Sequence, residues 1–158
     1  MKSLIAYYTR TGNTRQIAQL IAKKLNSDLD EIVDTKKRSG IFGFLKAGYE
    51  ATMKKTTQIK EINKKPGEYD FIILGTPNWN KRMTPALRTY ILKFKDVFNQ
   101  MAIFCSAGGR GVQNFLESVE QLCDKKAVAV MVILDEDDKE LVETKIDKFI
   151  QEINESSH

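Results

Sequence analysis

Four short, nearly unbroken apolar runs punctuate the chain, at Leu4 to Tyr8, Phe71 to Leu74, Met101 to Cys105 and Ala127 to Leu134. Runs that are continuous rather than alternating fit strands covered on both faces. A weaker strand is expected at Leu29 to Val33. Between the runs lie apolar positions at helical spacing: Ile17, Leu20, Ile21 and Leu25; Leu87, Tyr90, Ile91 and Phe94; Val112, Phe115, Leu116 and Val119; and Val142, Ile146, Phe149, Ile150 and Ile153. Each set puts one apolar stripe on a helix. The order is β-α-β, an irregular stretch, then β-α-β-α-β-α, which implies a parallel, doubly wound sheet. Thr84 before Pro85 reads as an N-cap with proline at the first helical position, so the third strand ends in a loop of roughly Thr76 to Met83.

The irregular stretch, Lys36 to Thr57, mixes six basic residues with Ile41, Phe42, Phe44, Leu45, Tyr49 and Met53. It reads as a loop and a short helix, since glycines at 40, 43 and 48 disfavour a long one. It is either the cover of the second crossover, its lysines solvated, or a docking surface for a redox partner, an anionic membrane surface or a second subunit. Lys64-Lys65-Pro66-Gly67 looks like a turn within the domain, and nothing resembles a linker, so residues 1–158 are expected to form a single domain.

Composition narrows the function classes. The chain has 25 Lys plus Arg against 21 Asp plus Glu, a formal charge of +4, but residues 134–158 hold nine acids and three bases, leaving +10 on residues 1–133. A basic body with an acidic C-terminal helix attracts anionic partners or simply stays in solution. Without a ladder of aromatic and basic residues, nucleic-acid binding is not expected. Cys105 and Cys123 are too few for a disulfide framework and form no Cys-x-x-Cys pair, and the one histidine, His158, is beside neither, so zinc and thiol-relay chemistry fall away. Both cysteines read as buried and structural. No apolar run approaches the roughly 18 residues of a membrane span or the core of a signal peptide. A soluble, cytoplasmic protein with no integral membrane segment is the expectation.

In an open parallel sheet, ligands bind beyond the carboxyl ends of the strands where strand order reverses, which directs attention to three loops. After the first strand comes Thr9-Arg10-Thr11-Gly12-Asn13-Thr14, hydroxyls and an amide around a glycine where a helix starts. Unpaired N–H groups at such a start suit a phosphate; a threonine-rich helix cap with no ligand is the alternative. After the third strand comes Thr76-Pro77-Asn78-Trp79-Asn80-Lys81, which holds the only tryptophan. It suits stacking on a planar, polar-edged ligand, or folds back over the sheet edge. After the fourth strand comes Ser106-Ala107-Gly108-Gly109, where glycines let backbone N–H groups approach a ligand or merely make a tight turn.

Taken together, the three loops resemble those of the flavodoxin-like family, over essentially the whole chain. Thr9-x-Thr11-Gly12-Asn13-Thr14 looks like its FMN phosphate loop, Gly75-Thr76-Pro77-Asn78-Trp79 like its first flavin-flanking loop, and Ser106 to Gly109 sits where the second should be. The resemblance implies a three-layer α/β/α sandwich around a five-stranded parallel sheet of order 2-1-3-4-5, with one noncovalent FMN. By the same resemblance, Thr9, Thr11, Gly12, Asn13 and Thr14 would hold the phosphate, with Arg10 adding only its N–H. Pro77, Asn78 and Trp79 would line one flavin face within the loop Thr76 to Lys81, and the backbone of Ser106, Ala107, Gly108 and Gly109 would reach the pyrimidine edge.

Two features depart from the electron carriers of that family. The chain is basic, and it has Gly108 and Gly109 where carriers often set a tyrosine against the outer flavin face. An open ring face would admit a hydride donor or a flat acceptor. A cation about 10 Å from the ring would favour an anionic reduced flavin by roughly 1.7 kcal/mol at an effective dielectric near 20, before salt screening. Two functions follow as expectations: electron transfer between partner proteins, a reductase and an acceptor, or an FMN-dependent oxidoreductase taking hydride from NAD(P)H and reducing a quinone or other small acceptor. The glycine-rich motifs of dinucleotide folds and P-loops are absent, and threonines stand where a response regulator would carry acids.

Overall fold

Each apolar run becomes a strand because helices cover both faces of the sheet it joins. The computed structural model describes residues 1–35, 56–78, 82–107 and 111–157. Its strands are β1 (Ser3–Tyr7), β2 (Asp28–Glu31), β3 (Phe71–Pro77), β4 (Gln100–Ala107) and β5 (Val130–Leu134). They form one sheet of order β2-β1-β3-β4-β5 in which all neighbours run parallel. The helices are α1 (Asn13–Leu25), α2 (Pro85–Phe94), α3 (Val112–Cys123) and α4 (Lys139–Ser156). Strand order reverses between β1 and β3, as the resemblance to the flavodoxin-like family implies.

Alternation along the strands divides the core in two. Ile5, Tyr7, Phe71, Ile73, Ala102, Phe104, Met131 and Ile133 meet α1 and α4, whereas Leu4, Ala6, Ile72, Leu74, Met101, Ile103 and Cys105 meet α2 and α3. This is the expected three-layer arrangement. Of the α1 stripe, Ile17 and Ile21 are buried with Ala18 and Ala22, but Leu20 is 43% exposed. Its position turns it to the flank of the helix, and the two alanines take its place against the sheet.

Two strand boundaries differ from the apolar pattern. β2 is Asp28–Glu31, one residue earlier than expected at its start and two shorter at its end. Ile32 still donates to the Tyr7 carbonyl (2.7 Å), but the following residues turn to another partner: Asp34 bridges Ile59 antiparallel, and Lys60 donates to the Val33 carbonyl (2.8 Å). β5 is Val130–Leu134 rather than the full apolar run, although the Val128 N–H bonds to Met101 (2.9 Å) and the Ala129 carbonyl accepts from Ile103 (3.1 Å). Apart from Thr56 and Thr57, the segment Lys36 to Thr57 lies outside the described residues, as does His158.

Thr84 caps α2 as its sequence predicts, accepting from Leu87 N–H at 3.4 Å with Pro85 first in the helix. Buried Asp30 fixes the chain entering the predicted Lys64 to Gly67 turn, accepting from the backbone N–H groups of Asn63 (3.3 Å) and Lys64 (3.0 Å). Cys105 and Cys123 are both buried free thiols, which burial holds up near about 12, so neither is a thiolate at neutral pH. Among the described residues, no helix is long and apolar enough to cross a membrane.

β3 and β4 are in close contact at Gly75. A Cβ there would stand 2.2 Å from the Phe104 ring, which is fully buried between the sheet and α1 and α4. Gly75→Ala is therefore expected to destabilise the fold by about 1–3 kcal/mol through overpacking. Chemical denaturation measures this, and Phe104→Leu in the same chain is expected to restore part of the loss.

Candidate functional site

The first turn of α1 faces the carboxyl edge of the sheet, where β1, β3 and β4 end together. Gly12 is its N-cap, with φ +103°, a left-handed conformation that favours glycine. No side chain caps the helix by a hydrogen bond. The Thr9 hydroxyl accepts instead from the Gly12 N–H (3.0 Å), rounding the loop just before the helix begins. The ligand-free cap reading thus accounts for Thr9, and leaves the N–H groups of the first turn without a side-chain acceptor.

Ser106, near the end of β4, ties the three strand ends together. Its hydroxyl lies 3.0 Å from the Thr14 hydroxyl, and its carbonyl accepts from the Asn78 N–H (2.9 Å). Thr14 is buried, so its hydroxyl is a fixed part of this junction. The result is a cleft of about 160 Å³ lined by Thr9, Arg10, Thr11, Asn13, Thr14, Pro77, Asn78, Ser106 and Asp135. Eight of these nine residues are among the sequence-predicted site residues.

Gly12 contributes the turn rather than the wall. Thr76 lies beneath the site: it is fully buried, its hydroxyl donating to the Pro77 carbonyl (3.0 Å) and lying 3.2 Å from the Thr84 hydroxyl, where it joins β3 to the start of α2. Ala107 ends β4 opposite Leu134. Trp79, Asn80, Lys81, Gly108 and Gly109 lie outside the described residues.

Asn78 carries the strongest sign of a missing partner. It lines the cleft, and its Oδ1 is buried with no hydrogen-bond partner among the described residues. An unsatisfied buried acceptor costs about 1–3 kcal/mol, a cost that a bound donor would remove. The donors around the cleft are hydroxyls and backbone N–H groups at a helix start, the chemistry that binds a phosphate, and the amide oxygen suits a hydroxyl or ring N–H further along the same ligand.

Sequence reasoning missed two features. One is Asp135, directly after β5; the order 2-1-3-4-5 places that strand end beside β4, so an acid at the next position was a readable signal. The other is a cluster at the end of β1. Arg15, in the first turn of α1, grips Glu31 with two hydrogen bonds (2.9 and 2.7 Å), and the Tyr7 hydroxyl donates to the same carboxylate (3.0 Å). Arg15 therefore serves β2. The Arg15 and Tyr7 hydrogen bonds hold the Glu31 carboxyl below its ordinary value against the opposing effect of partial burial, and burial followed by Glu31 raises Tyr7.

The sequence matches the family model for NADPH-dependent FMN reductases over residues 3–137. The chain belongs to that family. No curated protein matches it in sequence. Among solved structures, this family member resembles a flavoprotein from Bacteroides uniformis ATCC 8492 (TM-score 0.78, 21% identity, 92% of this chain and 97% of that one). It also resembles a flavoprotein from Lactobacillus acidophilus NCFM solved in complex with FMN (TM-score 0.75, 20% identity, 94% and 98%). Flavodoxin 2 from Bacillus cereus shares the fold at a TM-score of 0.56 (21% identity, 98% and 99%). The flavodoxin-like architecture is thus common to all three.

The Glu31 cluster generates a pH test. A carboxyl lowered by folding contributes stability that is present above its unfolded value, near 4.3, and is lost as pH falls through its lower folded value. Wild type is expected to be more stable than Glu31→Gln at pH 7, with the gap closing as pH drops below about 4. Denaturation midpoints measured across that range check it, and a gap independent of pH would assign the difference to packing.

Proposed function

We propose that this protein is an FMN-dependent oxidoreductase that takes reducing equivalents from NAD(P)H and passes them to a small acceptor such as a quinone or a second flavin. FMN is the cofactor. When bound, it supplies the acceptance and onward donation of electrons. The observation that carries the reading is the polar cleft at the switch point of a family member's sheet, bordered by an uncapped helix start and an orphaned amide oxygen.

The chain's part is to bind and orient. Thr9, Thr11, Asn13, Thr14 and the first N–H groups of α1 are assigned to the phosphate, with Gly12 making the turn that exposes them. Ser106 fixes the position of Thr14 and Asn78 relative to one another. Asn78 would accept from the flavin's hydroxyl or ring N–H groups, and Pro77 and Trp79 are assigned from the sequence to one ring face. The Ser106 to Gly109 backbone would reach the pyrimidine edge, and glycine at 108 and 109 brings no side chain to cover the ring against a nicotinamide or a flat acceptor.

A second reading, a carrier shuttling electrons between a reductase and an acceptor protein, is favoured by the end-to-end match to a flavodoxin. Steady-state NADPH oxidation separates the two. With FMN and a quinone present, the purified protein is expected to oxidise NADPH alone; turnover only after adding a reductase would make it a carrier.

The phosphate assignment has its own test. Thr11 is exposed and makes no hydrogen bond among the described residues, so removing its hydroxyl leaves the fold intact. Thr11→Ala is expected to weaken FMN about tenfold, the loss of one hydrogen bond to a charged group. Titration of flavin fluorescence measures it, and an unchanged dissociation constant would remove Thr11 from the site.

A further inference from the structure

Residues 135–138, between β5 and α4, are four consecutive acids. Two have structural work. Asp137 accepts from the Leu134 N–H (2.8 Å) and pairs with Lys145 (2.5 Å), and Asp138 caps α4 by accepting from the Leu141 N–H (2.8 Å). Asp135 has neither role: it is exposed and makes no hydrogen bond or ion pair among the described residues. Yet it lines the phosphate cleft, and with Asn13 and Ser106 it also lines an adjoining groove of about 340 Å³ between α1 and α4.

A carboxylate at that position opposes a phosphate. Arg10 and Asp135 are the one cation and the one acid among the described residues that line the cleft. Arg15, the next cation along α1, is held by Glu31. A phosphate among the hydroxyl and N–H donors would therefore meet the Asp135 carboxylate in the same wall.

We infer that Asp135 sets the strength of phosphate binding, holding the affinity for FMN down while leaving the flavin ring's contribution untouched. FMN would then exchange with free flavin during turnover rather than stay lodged in the protein. This rests on the FMN reading, and its chemistry is selective: repulsion acts on the phosphorylated flavin and spares riboflavin, which has no phosphate. The effect is local to the cleft, so Glu136, the exposed neighbour that does not line it, would not share it.

The experiment is a fluorescence titration of full-length protein with FMN and, separately, with riboflavin, for wild type, Asp135→Asn, Asp135→Lys and Glu136→Gln. Asp135→Asn is expected to tighten FMN about threefold and Asp135→Lys about tenfold, the range for exposed charges acting on a dianion, with both gains shrinking as salt is raised. Riboflavin affinity stays unchanged throughout, and Glu136→Gln matches wild type. Unaltered FMN affinity in both Asp135 variants, an equal gain for riboflavin, or an equal gain in Glu136→Gln would each overturn the inference. If wild type bound FMN no better than riboflavin, the phosphate cleft itself would fail, and this inference with it.

Discussion

An α-helix cannot satisfy its own first N–H groups, and α1 begins where its side chains do not satisfy them either. Much of the site follows from that one deficit. Placing the helix start at the sheet edge requires Gly12 in its left-handed conformation, and holding it there requires the buried Thr14–Ser106 contact. Ser106 in turn receives the Asn78 N–H. One residue at the end of β4 thereby sets the relation between the loop after β1 and the loop after β3, which are 92 and 28 residues from it. The parallel order makes this possible, because it brings all three strand ends to one side.

Charge contributes less to the site than the composition suggests. Among the described residues only Arg10 brings a positive charge to the cleft wall; Arg15 is committed to Glu31, and α1 and α4 are joined through Lys24 and Asp147 on the surface. The acidic C-terminal helix packs as part of the sandwich, with Asp138 capping its start and Asp137, just before the cap, paired with Lys145. In the proposed phosphate role, most of the described wall is made of hydroxyls, N–H groups and the neutral amides of Asn13 and Asn78. Such donors read the shape and valence of a phosphate without the long reach of a cationic patch.

The layer order, the helix stripes and eight residues of the cleft were legible in the sequence because each depends on local pattern: continuous apolar runs, a 3.6-residue period, and polar residues directly after a strand. What escaped depended on distance in space. Leu20 fits the helical period as well as Ile17, and only the presence of Ala18 and Ala22 against the sheet turns it outward. β2 ends at Glu31 because Asp34 finds Ile59, a partner 25 residues away. Thr76 looks like a ligand-loop residue but is spent on Thr84 and Pro77. Asp135 follows β5, which lies two strands from the order reversal yet ends at the same edge of the sheet.

Orphaned polar atoms need the same spatial reading. Three side-chain atoms are buried without partners among the described residues: Asn78 Oδ1, Arg88 Nε and Tyr90 Oη. Tyr90 is fully buried in the α2 core, where burial pushes its hydroxyl well above the ordinary tyrosine value. Its aromatic neighbours Phe94 and Phe98, with ring centroids 5.0 and 6.4 Å away, offer apolar contact and no acceptor. That hydroxyl is an expense of core packing, offset by the ring's buried area. Arg88 sits on the same helix, half-buried, its charge disfavoured first by burial and then by Arg82. Neither residue lines the cleft at the strand ends. Asn78 does, and the difference between a tolerated defect and a binding group is that its unpaired oxygen belongs to a wall whose other members are also donors and acceptors facing one shared space.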